Sequence, residues 1–212
     1  MIQKFGEKRE IKPIPLKNFG TNCYLVSSEK TAIVIDPGCY DGRVEEYLQN
    51  AKEKERIILL THCHFDHIAD AERLSKATNT KIAIGAMDND GLSDPNINLC
   101  NLFGADVKPF SADILLQDSE VLTVGDTEIK VINTPGHTVG GVCYLIGGNL
   151  FSGDTLFKGS IGRTDFPNGS FKTLETSVKK IYNLPDDTKV YSGHGEPTSI
   201  GFEKKNNPFV RG

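Results

Sequence analysis

Apolar and polar positions follow two rhythms along this chain. Asn22–Ser27 and Thr31–Ile35 are rich in β-branched and aromatic residues, and the second run stops at Asp36-Pro37-Gly38, a turn signal; together they predict an early β-hairpin. Residues 43–54 carry Val44, Tyr47, Leu48 and Ala51 at the spacing of one helical face, with charged residues elsewhere. Residues 56–61 form a short continuous apolar run bounded by polar residues, as expected of a strand buried on both faces. Residues 69–77 predict a second helix and Lys81–Gly85 another buried strand, so the order strand, helix, strand, helix, strand predicts a layered α/β architecture. Residues 87–111, rich in Asp, Asn, Gly and Pro, predict a long irregular excursion of the kind that forms functional loops. β patterns return in Val121–Val124, residues 129–132, Val142–Ile146 and residues 150–152. Gly125-Asp126 and Gly147-Gly148-Asn149 mark hairpin turns between them. A helix over residues 171–182 and a strand over Lys189–Ser192 follow. No linker, low-complexity tract or charge block divides the sequence, which predicts one domain over residues 1–212.

Composition narrows the class. With 212 residues, 38% of them hydrophobic, the chain can bury one substantial core. Its five cysteines, Cys23, Cys39, Cys63, Cys100 and Cys143, are scattered and form no Cys-x-x-Cys pair, so they predict reduced, mostly buried thiols and a cytoplasmic protein. The first residues lack the apolar stretch of a signal peptide, and no run approaches the roughly 20 apolar residues that span a bilayer, so no membrane partner is expected. A net charge of −4 with both signs interspersed disfavours nucleic acid and favours a small-molecule substrate.

The chemistry is concentrated in the histidines. Thr61-His62-Cys63-His64-Phe65-Asp66-His67 directly follows the buried run. In extended chain residues two apart face the same way, so His62 and His64 can converge on one metal, while a turn into the next helix swings Asp66 and His67 toward a second. The same alternation turns Cys63 away from the metal into the core. His137 in Thr134-Pro135-Gly136-His137-Thr138, Asp154 in Ser152-Gly153-Asp154-Thr155 and His194 in Ser192-Gly193-His194-Gly195 each stand just beyond a β run, beside glycine that allows close backbone approach. Each is weak alone, but all five histidines of the protein fall in these motifs. Imidazole and carboxylate are the ligands that divalent zinc or iron selects.

With His-x-His-x-Asp-His followed by His, Asp and His in that order, the chain resembles the metallo-β-lactamase superfamily over essentially its whole length. The resemblance implies an α/β fold, the αβ/βα four-layer sandwich. It further implies a ligand partition: His62, His64 and His137 on a first metal, Asp66, His67 and His194 on a second, and Asp154 bridging. The segment from Gly153 to Pro167, with Gly193-His194-Gly195-Glu196-Pro197-Thr198-Ser199-Ile200-Gly201 and Asn207-Pro208-Phe209, is similar to compact bacterial glyoxalase II-like hydrolases. That likeness implies hydrolysis of a thioester such as S-lactoylglutathione, with Arg163 placed to hold a carboxylate of the glutathione moiety. Glyoxalase II proper has a C-terminal helical extension and tyrosines that clasp glutathione. Here the sequence ends soon after Phe209 and has Asp165 and Glu196 at the corresponding motif positions, so the thioester is implied more firmly than glutathione as its thiol.

The expected mechanism uses two divalent ions, most simply Zn2+, whose shared water is deprotonated near pH 7 and attacks the thioester carbonyl as a metal-bound hydroxide, with Asp66 positioning it and accepting its proton. The thiolate leaves with little need of an acid, its conjugate pKa being about 8.5. Arg163 has a competing reading, a solvated arginine paired with Asp165. The rival activity from another class is that of the iron persulfide dioxygenases of the same superfamily, which the chain resembles at Thr61 to His64 and Gly162 to Asp165. Those enzymes use one iron on two histidines and an aspartate, here His62, His137 and Asp154. A lactonase or β-lactamase is a further hydrolytic reading. The sequence assigns no oligomeric state.

Overall fold

The side chains of one strand define the layering. In the computed structural model, which describes residues 9–17 and 19–212, Glu55–Leu60 sends Ile58 and Leu60 into one apolar cluster and Ile57 and Leu59 into another. This strand is the fourth of a six-stranded sheet: β1 (Glu10–Pro15), β2 (Asn22–Ser27), β3 (Thr31–Ile35), β4 (Glu55–Leu60), β5 (Lys81–Gly85) and β6 (Ile114–Leu116), in that spatial order. β1, β2 and β3 pair antiparallel, and β3 to β6 pair parallel. The parallel connections carry helices α1 (Gly42–Asn50) and α3 (Ala71–Thr78), with the one-turn α2 (Phe65–Ile68) before α3. Val44 and Leu48 of α1 and Leu74 of α3 pack with Ile58, Leu60, Ile82 and Ile84 on the outer face of this sheet.

A second six-stranded sheet contains β7 (Val121–Val124), β8 (Thr127–Asn133), β9 (Val142–Ile146), β10 (Asn149–Gly153), β13 (Lys189–Ser192) and β14 (Thr198–Ser199); β11 (Leu156–Phe157) and β12 (Ser160–Ile161) form a small ribbon beside it. Its inner face, with Ile129, Val131, Tyr144, Ile146 and Phe151, meets Tyr24, Ile33, Ile35, Ile57 and Leu59 of the first sheet. Its outer face packs Ile132, Leu150 and Val190 against Leu174, Val178 and Ile181 of α5 (Phe171–Ile181) and Ile200 of α6 (Ile200–Asn206). Three apolar layers therefore separate four layers of secondary structure in the order helix, sheet, sheet, helix, as the resemblance implies.

The predicted strands at Asn22–Ser27, Thr31–Ile35, Lys81–Gly85, Val121–Val124, Val142–Ile146 and Lys189–Ser192 are observed with those bounds. The helix predicted over residues 43–54 ends at Asn50, where Ala51 leaves the helical path and a turn feeds β4. The excursion over residues 87–111 is less irregular than expected: it holds most of a 3₁₀ helix, Ala86–Leu92, and the one-turn α4 (Cys100–Phe103). Cys63 points into the apolar layer beneath α3, as alternation requires, and all five cysteines are free thiols. Among the described residues no helix is long and apolar enough to cross a membrane.

Candidate metal centre

Four strands from two sheets finish together, and that gathers the histidines. β9 is antiparallel to both β8 and β10, and β13 is parallel to β10, so β8, β10 and β13 end on the same side of their sheet. β4 ends there too, held by Val142 N–H donating to Thr61 O at 2.9 Å and Tyr144 Oη–H donating to Leu60 O at 2.7 Å. His62 and His64 leave β4, Asp66 and His67 lie on α2, and His137, Asp154 and His194 follow β8, β10 and β13.

All seven side chains proposed from sequence meet. Ligand atoms of His62, His64 and His137 lie within 4.8 Å of one another, and so do those of Asp66, His67 and His194. Asp154 stands between the two sets: Oδ1 is 3.4 Å from His67 Nε2, while Oδ2 is 3.5 Å from His137 Nε2 and 3.6 Å from His194 Nε2. Asp66 Oδ2 is 3.3 Å from His194 Nε2 and 3.6 Å from His67 Nε2. Gly193 allows this convergence, because a Cβ there would sit 2.2 Å from Asp154 Oδ1 and 2.7 Å from His67 Cε1.

The arrangement fits metal ions. Among the described residues His62 Nε2, His67 Nε2 and Asp154 Oδ1 are buried without a hydrogen-bond partner, each a deficit of about 1–3 kcal/mol in a folded interior. Cations held by the two sets would satisfy all three. The opposite ring nitrogens show why these lone pairs point inward. His67 Nδ1–H donates to Asp36 Oδ2 at 2.9 Å, and His137 Nδ1–H donates to Arg163 O at 2.7 Å. Thr61 Oγ1–H donates to Asp36 Oδ2 at 2.7 Å, so at 3.0 Å from His62 Nδ1 the same oxygen is left to accept the ring N–H. The Nδ1 sides of His62, His67 and His137 are thus engaged, which turns their Nε2 atoms toward the cluster, while His64 Nδ1 lies 2.9 Å from His137 Nε2. The cluster of His, His, His and Asp, His, His around a shared Asp fits a dinuclear metal site.

The charges of the metal-free cluster are strongly coupled. Burial pushes His62 well below the usual imidazole range, with His67 adding to the effect, and takes His64 down to about 3. Burial acts the same way on His67, but Asp66, Asp154 and Asp36 around it outweigh burial and hold it well above that range. Burial would raise Asp66 and Asp154; the neighbouring His67 charge instead holds both below the usual carboxylate range, Asp154 at about 2. At neutral pH the metal-free site therefore keeps a proton on His67, and a cation must displace it. Metal uptake is expected to release protons, and affinity to fall about tenfold per pH unit for each proton displaced as pH drops below the raised His67 value. Calorimetry in buffers of different ionisation enthalpy checks this; uptake without proton release would contradict it.

Two buried carboxylates that hold the site are not identified by the sequence patterns. Asp36, predicted only as part of a turn, is 2% exposed with φ of 53° and accepts from Thr61 N at 2.8 Å as well as from Thr61 Oγ1 and His67 Nδ1. Asp88, inside the predicted excursion, accepts from Cys63 N, Thr138 Oγ1 and Gly140 N, tying the β4 loop to the His137 loop. A carboxylate directly closing a run buried on both faces was the available signal for Asp36. Asp36→Asn places an amide donor where two donors already arrive, and is expected to weaken metal binding about 10- to 100-fold. Competition with a chromogenic chelator measures it.

Above the cluster opens a cavity of about 290 Å³ lined by His64, Asp66, His137, Asp154 and His194, by Arg163, and by Phe19, Phe65, Leu99, Phe103, Phe157 and Phe166. Arg163 lies at its rim with an exposed guanidinium. Its Nε–H and Nη2–H donate to Asp165 at 2.9 and 2.7 Å, and it stacks 4.2 Å over the Phe166 ring.

This fold and this seven-residue centre define a class of metal-dependent hydrolases. The sequence pattern of the metallo-β-lactamase superfamily matches residues 16–194, and the chain belongs to that superfamily. It is 35% identical to the hydroxyacylglutathione hydrolase GloC of Haemophilus influenzae, over 94% of this chain and 97% of that one. Among solved structures, the B3 metallo-β-lactamase BLEG-1 superposes with a TM-score of 0.88 at 37% identity, over 96% of this chain and all of that one. TTHA1623, solved in a di-iron-bound form, superposes with a TM-score of 0.84 at 31% identity, over 94% and 100%.

Proposed function

We propose that this metallo-hydrolase cleaves an acyl thioester, of which S-lactoylglutathione is the first to test. The observation that carries the reading is the full-length likeness to GloC, joined to a centre in which all seven ligand-type residues converge. His62, His64 and His137 would hold one divalent cation, Asp66, His67 and His194 the other, with Asp154 shared. Bound there, two divalent ions supply a water that ionises near neutral pH and Lewis acidity for a carbonyl oxygen. Asp66 faces the cavity, where it orients the attacking water and takes its proton. Water adds across the acyl C–S bond, which breaks to give a carboxylate, a thiol and one proton. The leaving thiolate needs little acid assistance, its conjugate pKa being about 8.5. Arg163 at the rim exchanges Asp165 for a carboxylate of the thiol moiety. The phenylalanines that line the cavity keep water away from the reacting carbonyl, which strengthens each electrostatic contact there.

The experiment pairs metal analysis with thiol release from S-lactoylglutathione. Two zinc or iron ions per chain with turnover support the reading; fully loaded protein that releases no thiol overturns it. A second reading, β-lactam hydrolysis, is favoured by the likeness to BLEG-1, and a chromogenic cephalosporin tests it in the same assay. Stoichiometric iron with oxygen uptake on glutathione persulfide would instead assign the oxygenase chemistry of His62, His137 and Asp154.

A further inference from the structure

The cavity over the metal centre has a polar floor and an apolar wall. Every polar side chain lining it belongs to the ligand cluster except Arg163, whose fork is engaged by Asp165. Four rings of the wall form one continuous array. Phe19 lies 4.8 Å from Phe65, Phe65 lies 5.5 Å from Phe103, and Phe103 lies 6.1 Å from Phe166, centroid to centroid. The array reaches the floor, since the Phe166 ring is 5.7 Å from His64 and 6.4 Å from His137. Its outer members are not consumed by the core: Phe19 is 60% exposed and Phe103 46% exposed. Phe19 also has φ of 59°, a left-handed conformation that is costly for an aromatic residue. An exposed ring held in such a conformation beside a metal centre offers apolar surface that the fold itself does not use.

We propose that this wall of Phe19, Phe65, Phe103 and Phe166 receives the acyl group, and that the preferred acyl group is apolar, such as hexanoyl or phenylacetyl, rather than 2-hydroxyacyl. The inference rests on the thioester reading above and deepens it. An alkyl chain laid on the rings leaves water for apolar surface on every side it presents. A hydroxyl on the carbon next to the carbonyl, laid against the same rings, gives up its water for no side-chain partner on the wall.

The test compares S-hexanoylglutathione with S-lactoylglutathione on the metal-loaded enzyme, so that only the acyl group differs. The expected kcat/KM is at least about tenfold higher for the hexanoyl thioester, the scale set by methylene discrimination in apolar pockets. The ratio is expected to collapse toward unity in Phe103→Ala and to fall in Phe19→Ala, both at exposed rings. Thiol release from both substrates with equal rates, or with the lactoyl thioester faster, overturns the inference and leaves the thioester reading standing. Release from neither overturns both. Independently of turnover, metal-free protein is expected to bind the uncleavable thioether S-hexylglutathione about tenfold more tightly than S-methylglutathione. Phe103→Ala is expected to erase that difference in calorimetry; equal binding by the unsubstituted chain overturns the inference.

Discussion

Asp154→Asn is expected to cost the site at least one of the two metal ions it would hold and to lower turnover by about a thousandfold. The substitution keeps the size of the side chain and removes its charge. Among the described residues Asp154 is the one carboxylate whose oxygens face both histidine sets, with Oδ1 toward His67 and Oδ2 toward His137 and His194. Without it, two cations held by the two sets would lose the carboxylate that both sets face. A unit charge about 4 Å from a cation is worth about 4 kcal/mol at an effective dielectric of 20, which is three powers of ten in affinity. Metal analysis after dialysis reads the first effect and thiol release the second. Because Asp154 is a site residue and its neighbour Gly193 leaves room for a group of this size, the metal-free variant should still unfold cooperatively. Two tightly held ions with an unchanged rate would refute the bridging role.

How far the sequence reaches can be seen residue by residue. β4 was legible because Ile57, Ile58, Leu59 and Leu60 are buried on alternating faces, so its apolar run has no polar interruption. The ligands after it were legible because strand periodicity places His62 and His64 on one side. β1, β6, β14 and the ribbon of β11 and β12 were missed. β6, β11, β12 and β14 are two or three residues long, and β1 carries two prolines and buries only Ile14. Local patterns that brief carry no period, and pairing with a neighbouring strand decides them. The four-layer arrangement came from resemblance, since periodicity does not reveal which faces meet. The supports of the centre were illegible for a related reason. Thr21, Asp36 and Asp88 bond to partners 25 to 52 positions away, and nothing next to them in sequence marks those partners. The aromatic wall is dispersed in the same way, its rings coming from the β1 to β2 turn, α2, α4 and the segment after β12.

Asp66→Asn is expected to lower kcat by about 10²- to 10⁴-fold, the contribution of a positioned acid or base, while KM moves little. Three contacts define what the carboxylate does. Oδ2 accepts from Thr21 Oγ1 at 2.9 Å and lies 3.3 and 3.6 Å from the Nε2 atoms of His194 and His67. Thr21 is fully buried, so the carboxylate is held by a fixed donor on one side and by the second ligand set on the other. Its remaining surface lines the cavity in which the thioester carbonyl would lie. Asparagine fits the same space and keeps one oxygen for Thr21 or for a metal, but it cannot accept a proton from water at neutral pH. On the proposed reading the substrate would touch the phenylalanine wall and the rim, so its affinity is expected to survive while the proton transfer is lost. Assay at saturating metal separates this from ligand loss, because extra metal restores an enzyme that only binds its ion weakly and leaves one without its base slow. A variant that regains full kcat at high metal would make Asp66 a ligand and nothing more.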